Sequence, residues 1–145
     1  PSSGVVSLPE SILFDTGSYE LRDEAKERLK EILQTYFEAI LNSEEIAKHI
    51  DRIVIEGHTN SVGSYMYNLD LSQKRAYSVL DFIYSWNKDK RLEHYLIASG
   101  RSFSDLVMKN GKEDPDASRR IEIKFSLSNK EAINEIEKFL EFKGD

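Results

Sequence analysis

The chain has 145 residues, 39% hydrophobic and 32% charged, with a formal net charge of -6 from 20 basic and 26 acidic side chains, and no cysteine. This is the composition of a globular domain long enough to bury a core. It excludes disulfides and thiolate or cysteine-metal chemistry, and its acidic balance disfavours nucleic acid as a partner. No apolar run approaches the ~20 residues of a membrane-spanning helix, and no signal peptide is present. The start at Pro1-Ser2-Ser3-Gly4, without Met, reads as a cut fragment. Any membrane anchor is therefore expected in a missing N-terminal segment.

Val5 to Leu8 and Ile12 to Phe14 are short apolar stretches broken by Pro9, which marks a strand end, bulge or edge. Asp15-Thr16-Gly17-Ser18 reads as a turn. A long helix is predicted from Asp23 to Asn42, with Ala25, Leu29, Ile32, Tyr36 and Ile40 as its apolar stripe and Asp23 and Glu24 at its positive end. Glu44 to Ile50 predicts a further short helix. Arg52 to Glu56 contains the β-branched run Ile53-Val54-Ile55, expected as a central strand buried on both faces.

The block from Gly57 to Val79 then places a Gly-bearing loop before a helix predicted from about Asp70 to Trp86, with Ala76, Val79, Ile83 and Trp86 on one face. Arg75 falls in the first turns of that predicted helix. A helix start exposes unpaired N–H groups and the positive end of its dipole. A guanidinium beside it makes a site for a carboxylate, with amides near Leu71 and Ser72 expected to share the load.

Tyr95 to Ser99 is a strand ended by Gly100. Arg101 to Ser118 is a long loop with turn signals at Asn110-Gly111 and Asp114-Pro115, and one helical turn is expected over Ser104 to Met108. Ile121, Ile123, Phe125 and Leu127 alternate with polar residues as a one-sided strand. Ser128 and Glu131 form a capping box before an amphipathic terminal helix carrying Ile133, Ile136 and Leu140. Strands and helices alternating in this order predict a two-layer α/β (α+β) sandwich in a single domain, residues 1–145, with a core at about 8–127 and a helical extension at 129–143.

Three motifs in order carry a resemblance. Phe14-Asp15-Thr16-Gly17-Ser18 with Leu21 opens the first. The second runs from Gly57-His58-Thr59-Asn60 to Asn68, Leu71, Ser72, Arg75, Ala76 and Val79. The third is Ser118-Arg119-Arg120-Ile121-Glu122-Ile123. Together they resemble the OmpA-like peptidoglycan-binding domains of OmpA, Pal and MotB, over about Leu8 to Leu127. Asn60 departs from the Asp usual in that family, Ser118 replaces an Asn, and Gly100-Arg101-Ser102 stands for a Gly-Tyr-Gly motif.

The resemblance implies a β-α-β-α-β-β fold with a mixed sheet and a non-catalytic periplasmic module. Its implied ligand is the stem peptide of peptidoglycan, held by the zwitterionic end of diaminopimelate. Carried across, Arg75 takes the carboxylate and Asn60 stands where the ammonium is held. Thr59, Asn68, Leu71, Ser72, Asp15, Gly17 and Arg119 are the other expected ligand-binding residues. Arg75 has the alternative of a structural ion pair, Arg119 that of a pair with an acid of the long loop, and Thr59 and Asn68 that of ordering their own loop.

Asn60 can accept a hydrogen bond but supplies no charge. A hydrogen bond to a charged partner is worth about 1.5–3 kcal/mol, and each ~1.4 kcal/mol is tenfold in affinity. Binding is thus weakened, assisted by another acid such as Asp15, redirected to a different ligand, or lost.

His58 has no carboxylate or His partner at ligand spacing in the sequence and is read as structural. No metal, cofactor or catalytic constellation is expected. The entry Leu8-Pro9-Glu10-Ser11-Ile12-Leu13-Phe14-Asp15-Thr16-Gly17-Ser18 and the long first helix look more like MotB-type stators than Pal. Stator-like proteins of Zorya-type anti-phage systems share the domain, and the resemblance implies a homodimer. The competing reading is a fold that has lost wall binding and serves as an interaction or dimerisation domain.

Overall fold

The computed structural model describes residues 3–127, so the expected terminal helix and its capping box lie outside the described residues. Strand β1 (Ser3–Pro9) ends at the proline and sits at a sheet edge, as its missing donor requires. One helical turn, α1 (Glu10–Leu13), follows directly, so Ile12 and Leu13 are helical and not a continuation of the strand. Gly17, at φ 73°, closes the turn in which the Ser18 N–H donates to the Asp15 carbonyl, and Phe14 and Leu21 bridge across it.

Helix α2 (Asp23–Leu41) buries Ala25, Leu29, Leu33, Phe37, Ile40 and Leu41. The expected stripe was rotated: Ile32 is half-buried and Tyr36 exposed, although Tyr36 stacks on Phe125 at 5.3 Å. Choosing 32 and 36 over 33 and 37 turns the face by about 100°. The short α3 (Glu44–Ala47), capped by Ser43, leads to β2 (Ile50–His58). Helix α4 (Tyr65–Trp86) returns β2 to the parallel β3 (Leu96–Gly100) through the turn α5 (Leu92–Tyr95).

The expected helical turn over 104–108 does not form. The segment holds instead a small hairpin, β4 (Met108–Lys109) and β5 (Lys112–Glu113), turned by Asn110 and Gly111 at positive φ, and then α6 (Pro115–Ser118). Strand β6 (Arg120–Leu127) enters between β1 and β2, antiparallel to both, giving the mixed order β1-β6-β2-β3.

Among the described residues the helical layer covers one sheet face. Ile53, Ile55, Ile121, Ile123 and Phe125 point into it and meet Leu29, Leu33, Phe37, Ala76, Val79 and Ile83. β2 is thus buried on its core face from Ile53 onward, and on its other face at Glu56 and His58. On the other face Val54 is half-buried, and Glu56 and His58 are buried by ion pairs, not by a second helical layer.

Helix α4 comes closest to the sheet at Gly57 and Gly100, which are paired in register. A Cβ on Gly57 would lie 2.2 Å from the Ser72 carbonyl oxygen, and one on Gly100 would lie 2.5 Å from the Gln73 nitrogen. Ser72 is buried at this contact. Its hydroxyl donates to the Leu69 carbonyl and accepts from the Ser102 N–H. Gly57→Ala is expected to push the helix off the sheet and cost about 3 kcal/mol, in the range of overpacked cores. Gly4→Ala, with nothing within 4 Å, should be near neutral. Urea unfolding of the two variants checks the contrast.

Candidate functional site

The first helical turn of α4 is capped by Ser64, whose hydroxyl accepts from the Tyr67 N–H. The helix thus begins five residues before the expected Asp70. Arg75 lies ten residues inside it, about 15 Å from the free amides at 1.5 Å rise per residue. Leu71 and Ser72 are helix-interior, where their N–H groups belong to the i→i-4 ladder. The expected sharing of a ligand carboxylate between Arg75 and a helix opening is therefore corrected. What the longer helix does is align Asn68, Leu71 and Arg75 at i, i+3 and i+7 along one face.

That face borders a cleft of about 900 Å³ between α4, the loop after β2, the 10–22 segment and the end of α6. Arg75, Asn60, Thr59, Asn68, Leu71, Asp15, Gly17 and Arg119 all line it, and Ser72 does not. Ser72 is committed to the helix–sheet contact described above. Several lining residues were not among the expected ligand-binding set, Glu10, Val62 and Tyr67 among them. Tyr67 precedes Asn68 in the helix, and an exposed aromatic there was a legible signal. Glu10 carried none, because its partners are 65 and 109 residues away.

Arg75 is 5% exposed. Its Nε donates to the Ser18 carbonyl at 2.8 Å and its Nη2 to the Asp15 carbonyl at 3.5 Å. Nη2 also meets Glu10 Oε1 at 3.0 Å, and the guanidinium lies 5.0 Å over the Phe14 ring. Nη1 has no hydrogen-bond partner among the described residues. Burial pulls the Arg75 pKa down and Glu10 opposes it; an arginine so placed stays charged. The structural ion pair and the position on the cleft are thus both realised.

Arg119 precedes β6 instead of starting it. It pairs with Glu10 Oε2 at 3.2 Å and with Asp116 of α6, the loop acid that was its alternative.

The rim is built by turn chemistry. Asn60 Oδ1 accepts from the Val62 N–H at 3.0 Å, and Thr59 Oγ1 donates to the Asn60 carbonyl. Asn68 Nδ2 donates to the carbonyls of Val62 and Ser64 at 2.8 and 3.0 Å. Glu113 of the small hairpin accepts from the N–H and hydroxyl of Ser61 and ties the long loop to this rim. Thr59 and Asn68 therefore order the loop that shapes the cleft. Asp15 turns its carboxylate outward, 82% exposed, towards Arg22.

His58 does have carboxylate partners, contrary to the sequence reading. Glu56 is on the same strand face at 3.1 Å, and Glu122 lies across the sheet at 3.8 Å. The three groups are close enough to hold a cation, but the Lys124 ammonium already sits 2.9 Å from Glu56 and 3.8 Å from Glu122. Arg120 and Arg101 complete the charge layer and tie it to the long loop through Asp105.

A sequence profile of the OmpA family matches residues 13–126. The chain belongs to the OmpA family. It is 36% identical over 132 residues to the Zorya protein ZorB of Escherichia coli O139:H28, an alignment covering 84% of this chain and 51% of that one. The chain thus spans about half the length of this relative. Among solved structures it is similar to the cell wall anchor of the T6SS from Pseudomonas aeruginosa, at 25% identity and TM-score 0.63, covering 87% of this chain and 82% of that one. The periplasmic domain of Helicobacter pylori MotB superposes with TM-score 0.69 at 18% identity, covering 98% of this chain and 87% of the other. The mixed sheet and helix order expected from the family motifs are the ones found.

The open-face charge layer gives a pH dependence whose sign is fixed by two groups. Burial lowers the His58 pKa and the Arg120 charge lowers it further, against Glu122 and Glu56. Below about pH 6.5 the unfolded chain takes up a proton that the folded chain refuses, so stability falls. Burial alone would raise Glu56, but Lys124 and His58 outweigh it and its pKa is lowered. Its contribution is present above 4.5, the ordinary value, and is lost as pH falls through the folded one. The urea midpoint should decline on acidification from about pH 6.5, and His58→Gln should remove the upper part of that decline.

Proposed function

We propose that this OmpA-family domain is a non-catalytic peptidoglycan-binding module that anchors an envelope protein to the cell wall. Its proposed ligand is the diaminopimelate-bearing stem peptide. The observation that carries the reading is the cleft itself. A shielded guanidinium, held on three sides by Ser18, Glu10 and Phe14, keeps one nitrogen for a guest in a space of about 900 Å³. A cleft of that size takes a peptide end, and a fixed arginine reads its carboxylate.

We place the module on the periplasmic side of the envelope. No described helix is long and apolar enough to cross a membrane. The parent protein is read as stator-like and of the Zorya type ahead of the flagellar type, because similarity to ZorB is 36% against 18% for MotB. A homodimer is part of the proposal, and a monomeric mass at high concentration by analytical ultracentrifugation would remove that part.

The test is retention on purified peptidoglycan sacculi. The wild-type domain is expected to sediment with the sacculi, and Arg75→Ala, if folded by circular dichroism, to remain in the supernatant. Asn60→Asp keeps an oxygen for the Val62 N–H and adds a charge, and is expected to tighten binding by about ten- to a hundredfold, as one charge-assisted hydrogen bond would. If the wild type is not retained and Asn60→Asp is, the fold has lost wall binding and serves as an interaction domain.

A further inference from the structure

Three acids line the cleft, and only one of them is sheltered. Asp15 and Asp116 are 82% and 91% exposed, whereas the Glu10 side chain is 12% exposed. Glu10 starts the one-turn α1, and its own N–H donates to the Arg119 carbonyl at 3.0 Å, next to the Pro9–Arg120 pair of the sheet, so its backbone is fixed beside Arg119. One carboxylate oxygen meets Arg75 Nη2 at 3.0 Å and the other meets Arg119 Nε at 3.2 Å.

Resting on the wall-binding reading above, we propose that Glu10 supplies the fixed negative charge that Asn60 lacks. Glu10 and Arg75 together then select a ligand carbon that bears both an ammonium and a carboxylate.

Arg75 and Arg119 with Glu10 and Asp116 form a cluster of about zero net charge, and without Glu10 it would be about +1. The second arrangement attracts any carboxylate and repels an ammonium. The first still attracts the carboxylate, through Arg75 Nη1, but places an acid beside it. Each Glu10 oxygen has one guanidinium partner and can accept another donor. The acid lies directly beside the cation, Glu10 Oε1 being 3.0 Å from Arg75 Nη2, so the ammonium and the carboxylate of one guest carbon meet neighbouring host groups of opposite sign. Asn60 cannot compete for this task, being uncharged and already accepting from Val62. Arg119 is the counterweight that moderates the acid.

The experiment compares two small probes by calorimetry. One is meso-diaminopimelate, and the other is pimelate, the same dicarboxylic chain without its amines. The wild type is expected to prefer diaminopimelate by about tenfold or more, the value of one charge-assisted contact. Glu10→Gln keeps the shape and loses the charge, and should cut that preference about tenfold or reverse it. Arg119→Gln frees the acid from one cation and should raise the preference. A purely structural Glu10 would weaken both probes alike and leave the ratio unchanged, which overturns the proposal. If Glu10→Gln does not fold, Arg119→Gln decides, and an unchanged or lower ratio overturns the proposal. Wild type retained on sacculi with an unmoved ratio in the variants leaves wall binding intact and removes only the Glu10 assignment. Wild type not retained on sacculi removes both.

Discussion

The buried guanidinium of Arg75 ties α4 to the 10–22 segment, a seam that the Ser78 hydroxyl also crosses to the Tyr19 carbonyl. It comes from the third turn of α4 and reaches α1 and the turn after it, where it takes the Glu10 carboxylate, the Ser18 carbonyl and the face of Phe14. A charge so sheltered is tolerable only with partners, since desolvation opposes it. The partners are supplied mostly by a turn, and Gly17 allows that turn to close. The same contacts that stabilise the charge therefore set one wall of the cleft at a fixed distance from the helix. Fold and binding site are one arrangement here, because the residue that would hold a guest also holds the walls together.

The helix carrying Arg75 is positioned by an absence of side chain. Gly57 and Gly100 face each other on neighbouring strands and let the backbone of Ser72 approach closer than any Cβ would permit. Ser72 then bonds Ser102, and Ser102 bonds Tyr65, so the start of the long loop is docked on the start of the helix. Small residues at the contact and hydroxyls at its edge do this without leaving buried polar groups unpaired.

The opposite sheet face has a different logic. Along β6 Arg120, Glu122 and Lys124 alternate in sign, Glu56 faces Glu122 across the strands with Lys124 and His58 between them, and the long loop closes over one end of the layer. His58 Nδ1 is left buried without a partner. Such a layer gives modest net stability but makes the loop's seat depend on protonation. The loop also carries Asp116 and Glu113 to the cleft, so the charge layer bears on the binding rim through the backbone it anchors.

By itself the sequence determined the element order, the one-sided alternation of β6, the edge position marked by Pro9 and the motifs that gather eight of the nine expected residues on one cleft. These are local signals, because periodicity, turn residues and spaced motifs are written within a few residues of one another. Only the tertiary structure decided where α4 begins, so that Arg75 stands on the cleft well away from the helix opening. It also decided that Ser72 lies in the helix–sheet contact and off the cleft, and that His58 has acidic neighbours. Above all it decided that Glu10, unremarked in its short turn, stands between two arginines brought from 65 and 109 residues away. Contacts of that kind depend on how the layers fold together, and no pattern along the chain encodes them.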